Sequence, residues 1–295
     1  MPTHWLAFAV VVAVLLAVDL AVLQRPGRAP SVGAAWAWTA VLAALAGGWA
    51  LWIGATSGKQ PAIEFVTGYV IEASLSIDNL FVFLLLFRAL RLEPEQQHRV
   101  LLWGVLGAVL LRGALIAAGT TLLARFAWVQ YAFGILLALA AARLLLTRPG
   151  VTPVRGPVLW IQTCCLRYGA GTRLAAGSLL LVIAAIEATD LLFALDSIPA
   201  VLAVTRNSWI AFTSNIFAVL GLRSLYFALS GLLERFRLLH YGLAMILALV
   251  AFKMLAARWV EIPALGSLAA IAAILAAFAV ASKVRPEPQG RTKSI

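Results

Sequence analysis

The sequence predicts an all-α membrane protein with about nine transmembrane helices, six of them arranged as an inverted repeat of three-helix units. Three observations predict it. Of the 295 residues, 63% are hydrophobic and 12% charged, more apolar surface than one or two soluble cores can enclose. Apolar runs of about 20 residues, the length that crosses a hydrocarbon core, recur along almost the whole chain. Two of these runs carry the same spacing of acidic residues.

The spans are expected at about 5–23, 34–55, 63–87, 99–118, 124–146, 177–203, 209–231, 240–257 and 262–282. Only Met1 to His4 precede the first apolar run, which contains Asp19 and is followed by QRPGR rather than a small-residue cleavage site. It is therefore expected to be a retained span, not a signal peptide. The third span contains GYVIEASLSIDNLFVFLLLF at 68–87, and the sixth LLLVIAAIEATDLLFALDSIPAVLAV at 179–204. Between the fifth and sixth, TRPGVTPVRGP at 147–157 is rich in Pro, Gly and Arg and marks a loop. The expected organisation is two N-terminal helices (1–62), a first three-helix unit (63–146), a loop (147–176), a second unit (177–257), and a last helix with a basic tail (258–295). The ten tryptophans read mostly as interface anchors or lipid-facing bulk.

The net charge of +11 reflects the excess of Lys and Arg in cytoplasmic loops, so nucleic acid is not expected as a partner. Of 23 basic residues, sixteen fall on one side of the predicted topology and five on the other, with Arg112 and Arg223 set aside as intramembrane. This bias places the chain in the cell inner membrane, with the N-terminus outside and the C-terminus in the cytoplasm. The two cysteines, Cys164 and Cys165, are adjacent in the predicted cytoplasmic loop, where thiols stay reduced. They read as plain loop residues.

Five carboxylates lie in the apolar pattern: Glu72 and Asp78 in the third span, and Glu187, Asp190 and Asp196 in the sixth. An ionised Asp at the bilayer centre costs roughly 2.5–3.5 kcal/mol on insertion scales, so five cost on the order of ten before pairing. Clustered acids at that depth point to cation binding or proton passage. The other acids have simpler expected places. Glu64 sits at an interface, and Asp19 snorkels toward Arg25.

The acidic segments match one another. Glu72 and Asp78 are six apart with Asn79 following, and Asp190 and Asp196 are six apart with Ser197 following. Downstream, GVLGAVLLRG at 104–113 resembles NIFAVLGLRS at 215–224, which aligns Gly104 with Asn215 and Arg112 with Arg223. A three-span unit is odd, so its second copy must lie inverted, and inverted repeats place substrate at their interface near the midplane. Residues six apart on a straight helix are rotated by about 120° and separated by about 9 Å. Either the helix unwinds locally, with Pro199 favouring a break, or each pair forms two stations along a path. Glu187 and Asp190, three apart, share a face.

The candidate ligands are oxygens: the five carboxylates, Asn79, Asn215, Ser76, Ser197, Ser214 and backbone carbonyls. His4, His98 and His240 fall at span ends or loops, and the methionines lie away from the motifs. Oxygen-only coordination suits Mn²⁺, Ca²⁺ or Mg²⁺ over copper, zinc or nickel. Arg112 and Arg223 are candidate counter-charges, or simply snorkelling residues. No enzyme is expected, because the chain has no phosphate loop, Cys/His nucleophilic pair, HExxH or dinucleotide fingerprint.

The two acidic segments, together with SNIFAVLGLRSLYFALSGLLERFRLLHYGLAMILALVAFKML at 214–255, resemble the TerC family of integral membrane proteins. DSIPA and SNxFAxLGLR are the specific strings, and the likeness runs from the first span to the ninth. The resemblance implies links to tellurium resistance and manganese homeostasis, with Mn²⁺ export the expected activity. It puts the acidic motifs on Glu72, Asp78, Glu187, Asp190 and Asp196, with Asn79 and Asn215 nearby. The resemblance implies a longer, charged loop between the fifth and sixth spans, whereas the stretch here is short and lacks acids.

The expected function is export of a divalent cation, Mn²⁺ foremost, by alternating access, with the carboxylates exchanging protons for metal. No cofactor is expected, the metal being the transported substrate. Two alternatives stay open: a membrane scaffold in tellurite or envelope-stress responses whose acids only hold helices together, and an exporter of an organic cation or amino acid.

Overall fold

The computed structural model describes residues 2–23, 31–89, 92, 94–146, 176–229, 239–260 and 262–284. Among them lie nine α-helices and no strand. They are α1 (Pro2–Leu23), α2 (Val32–Ser57), α3 (Lys59–Ala89), α4 (Pro94–Arg125), α5 (Trp128–Leu146), α6 (Ala176–Leu202), α7 (Ser208–Leu229), α8 (Leu239–Leu255) and α9 (Ala264–Val284). Each coincides with one sequence span. Residues 147–175, expected as a loop and holding Cys164 and Cys165, lie outside the described residues.

The helices overrun the hydropathic spans where polar ends continue the helical pattern. α3 and α4 have 31 and 32 residues. Such helices are nearly 50 Å long, against about 30 Å of hydrocarbon. α2 passes into α3 through Gly58 alone, whose φ of 99° suits a residue without Cβ. By length and composition, four described stretches could cross a membrane: Val32–Ser57, Arg99–Arg125, Trp128–Leu146 and Ser208–Ala228. The acid-bearing helices α3 and α6 are not among these four. Leu51, Leu110 and Leu146 are each more than three-quarters exposed, as lipid-facing positions are expected to be.

At the centre stand α3, α4, α6 and α7, each packed on members of the other unit. The start of α4 meets the end of α7, where the Tyr226 hydroxyl donates to Gln97 Oε1 at 3.1 Å. At their opposite ends, Ser208 Oγ donates to Thr120 Oγ1 at 3.0 Å, so these helices run antiparallel. α5 and α8 also run antiparallel, with Gln130 donating to the Met254 carbonyl at 3.0 Å. Gly68, early in α3, faces Val201, late in α6. Each helix of the first unit therefore lies antiparallel to its counterpart in the second. Between units, α3 packs on α7 as α6 packs on α4. This exchange symmetry is the arrangement that an inverted repeat requires.

The remaining helices flank this centre. α1 and α2 lie against α7 through an aromatic cluster of Phe8, Trp49, Trp209, Phe212 and Phe217. α9 covers α3 and α8.

Candidate functional site

Four helices meet at one buried charge cluster. Arg112 of α4 is fully buried and forks onto Asp190 of α6, its Nε donating to Oδ2 at 3.0 Å and its Nη2 to Oδ1 at 2.6 Å. Its Nη1 pairs with Glu72 Oε1 of α3. The second oxygen of Glu72 accepts from Asn215 Nδ2 of α7 at 2.8 Å. Glu72 and Asn215 are fully buried, and Asp190 nearly so. Pairing is what makes such burial tolerable, since an isolated ion in a low-dielectric interior would be strongly unfavourable.

Glu187 lies one helical turn before Asp190, within electrostatic reach of both Asp190 and Arg112. Its carboxylate rests on Gly107 of α4, where any Cβ would overlap it. Its Oε1 is buried with no hydrogen-bond partner among the described residues, and the same holds for Asn215 Oδ1 and Ser197 Oγ. Beside Asp190 is a cavity of about 20 Å³ walled mainly by Phe83, Leu101, Val105, Ile186 and Leu222. That is room for roughly one water.

The structure thus brings together Glu72, Arg112, Glu187, Asp190 and Asn215, residues singled out by sequence. Asp78 and Asn79 are on α3, but their side chains lie outside the described residues. Asp196 lies on α6, two turns beyond Asp190, half-buried. Both acidic helices run unbroken through their motifs, so the sequence alternative of an unwound turn does not hold there. Pro199 stands in the last turn of α6, where only three residues of helix follow it. Acids six apart therefore occupy successive levels of one helix. Ser214 is turned to its own backbone, donating to the Ala211 carbonyl at 3.1 Å. Among the described residues, no group of three or more His, Cys, Asp and Glu side chains is arranged to hold a metal. Arg112 occupies the space between Glu72 and Asp190 instead.

Arg223, aligned with Arg112 by sequence, has a different partner. Its Nη1 lies 3.0 Å from Asp19 Oδ2 of α1, and Asp19 Oδ1 accepts from Trp38 Nε1 of α2 at 2.6 Å. Asp19 is buried, contrary to the expectation that it snorkels toward Arg25, because α1 packs against α7 and presents it to a buried guanidinium. Charge matching could have found this pair: Arg223 needed an anion at depth, and Asp19 was the spare intramembrane acid. The structural counterpart of the Arg112–Asp190 contact is the Asn215–Glu72 contact, each running from the second helix of one unit to the acidic helix of the other.

Comparison with known proteins agrees with this architecture. Residues 57–289 match the profile described as "Integral membrane protein TerC family". An uncharacterized membrane protein of Myxococcus xanthus is 40% identical, covering 96% of this chain and 93% of that one. The Alx proteins of Salmonella typhi and Escherichia coli K12, provisionally named membrane-bound redox modulators, are 40% and 39% identical over 93% of this chain and 92% of theirs. No solved structure matches. With more than half its length under the family profile and relatives of about 40% identity along nearly all of it, the chain belongs to the TerC family of integral membrane proteins.

Proposed function

We propose that this protein transports a divalent cation, Mn²⁺ foremost, out of the cytoplasm across the inner membrane. The observation that carries the reading is the convergence of both acidic helices on one buried point between inverted units. Glu72 and Asp190, which Arg112 joins, together match the two charges of one divalent ion. The candidate donors there are oxygens, and Glu187 Oε1 and Asn215 Oδ1, without hydrogen-bond partners among the described residues, add two more. Hard oxygen donors match Mn²⁺ better than softer metals. The exporting direction rests on the family resemblance alone, and the outside N-terminus on the loop charges. Proton exchange at Glu187, the carboxylate of the cluster that Arg112 does not fork onto, is the coupling we assign. The redox name carried by relatives finds no thiol in the described helices, because both cysteines lie outside them.

The test is Mn²⁺ tolerance in a sensitive cell expressing the protein. Glu187 makes no ion pair in the cluster that its loss would orphan, so E187Q is expected to reach the membrane at wild-type level. Tolerance should nevertheless fall by roughly tenfold or more, the range for weakening a metal site. Full tolerance with well-expressed E187Q would remove Glu187 from the site. No tolerance conferred by the wild type would favour the scaffold alternative.

A further inference from the structure

We propose that Arg112 is a tethered counter-cation: its guanidinium fills the cation's place between Glu72 and Asp190 in the unloaded carrier, and the arriving divalent ion displaces it. The proposal rests on the transport reading above and concerns how its site returns empty.

The geometry is that of a substituted ligand. The fork of Arg112 takes both oxygens of Asp190 and one of Glu72, so one guanidinium joins the acidic helices of both units. Arg112 itself belongs to α4, not to either acidic helix. It can therefore leave while the carboxylates stay in place. Asn215 keeps its hold on the other oxygen of Glu72 at 2.8 Å, which fixes that carboxylate through the exchange. The buried Asn215 Oδ1 and Glu187 Oε1, without hydrogen-bond partners among the described residues, are oxygens suited to an incoming cation and take no hydrogen bond from Arg112. An arginine stays charged throughout, so the exchange is competition between cations.

The consequence is a division of labour between the two halves of a transport cycle. A loaded site has Glu72 and Asp190 neutralised by metal and does not need the arginine between them. An empty site does, because Glu72 and Asp190 are otherwise buried and unpaired. Removing Arg112 should obstruct the return of the empty carrier and spare the loaded crossing.

The experiment compares net uptake of Mn²⁺ with exchange of radiolabelled for unlabelled Mn²⁺ in proteoliposomes of the wild type, R112Q and R112K. For R112Q, net uptake should fall by about tenfold or more, as loss of one partner from a buried pair predicts, while exchange stays near the wild-type rate. R112K keeps the charge and loses the fork, so it should fold and show the same split in milder form. Mn²⁺ should also raise the melting temperature of the detergent-solubilised variants more than that of the wild type, because the internal competitor is gone or weakened. A wild-type ratio of net to exchange flux in the folded variants overturns the proposal and leaves the transport reading standing. Wild-type protein that moves Mn²⁺ in neither mode sinks both.

Discussion

Arg112 and Arg223 show how one residue type is used twice at depth. Each is buried and each is met by a carboxylate from another helix. Arg112 joins acids expected to bind the cargo, whereas Arg223 joins α7 to the N-terminal helices. Sequence alignment of the two arginines could not separate these roles, because the partner of each lies on a helix remote in sequence. The acids themselves were legible, since a carboxylate in an apolar run is costly wherever it points. The contact between Glu187 and Gly107 was not legible, because a glycine in an apolar helix gives no sign of what approaches it. Gly107→Ala should push Glu187 aside and reduce Mn²⁺ transport while the protein still reaches the membrane. Gly47→Ala is the control: a Cβ there meets nothing within 4 Å, and the change should stabilise α2 by up to about 1 kcal/mol. Equal transport by the two variants would show that the seat of Glu187 does not matter.

Helices were located well by hydropathy, and their ends less so. α3 and α4 continue past the apolar stretch because residues such as Gln60 and Gln97 are good helix formers at a polar boundary. Continuity through the acidic motifs went against the unwound alternative. Pro199 falls where α6 is about to end, so a break costs little and is not needed. The placement of α1 follows from the Asp19–Arg223 pair, with Thr39 Oγ1 of α2 donating to Ser224 Oγ at 3.0 Å alongside it. Asp19→Asn should take from buried Arg223 the carboxylate that it meets at 3.0 Å, destabilising the protein by about 3–5 kcal/mol. A lower melting temperature for D19N in detergent, largely restored in D19N/R223Q, is the expected result. An unchanged D19N would mean that the aromatic cluster alone docks α1.

At the level of the molecule, all three helix pairs are antiparallel, and the unit-to-unit contacts interchange when the units are exchanged. The sequence pointed to this through two weakly similar segments, but lateral packing cannot be read from hydropathy: every apolar helix face looks alike until a polar side chain reveals its neighbour. Here the polar contacts Glu72–Asn215 and Asp190–Arg112 reveal it. The proposed alternating access would use this symmetry, one unit rocking against the other about the centre. The central claim is that the buried cluster at that centre carries a divalent cation. It is tested most directly by Mn²⁺ flux into proteoliposomes holding the purified wild type or E187Q, with Zn²⁺ at equal free concentration as comparison. The account predicts Mn²⁺ flux by the wild type, slower Zn²⁺ flux, and a loss of roughly tenfold or more in folded E187Q. Absence of Mn²⁺ flux in the wild type, or undiminished flux in E187Q, would contradict it.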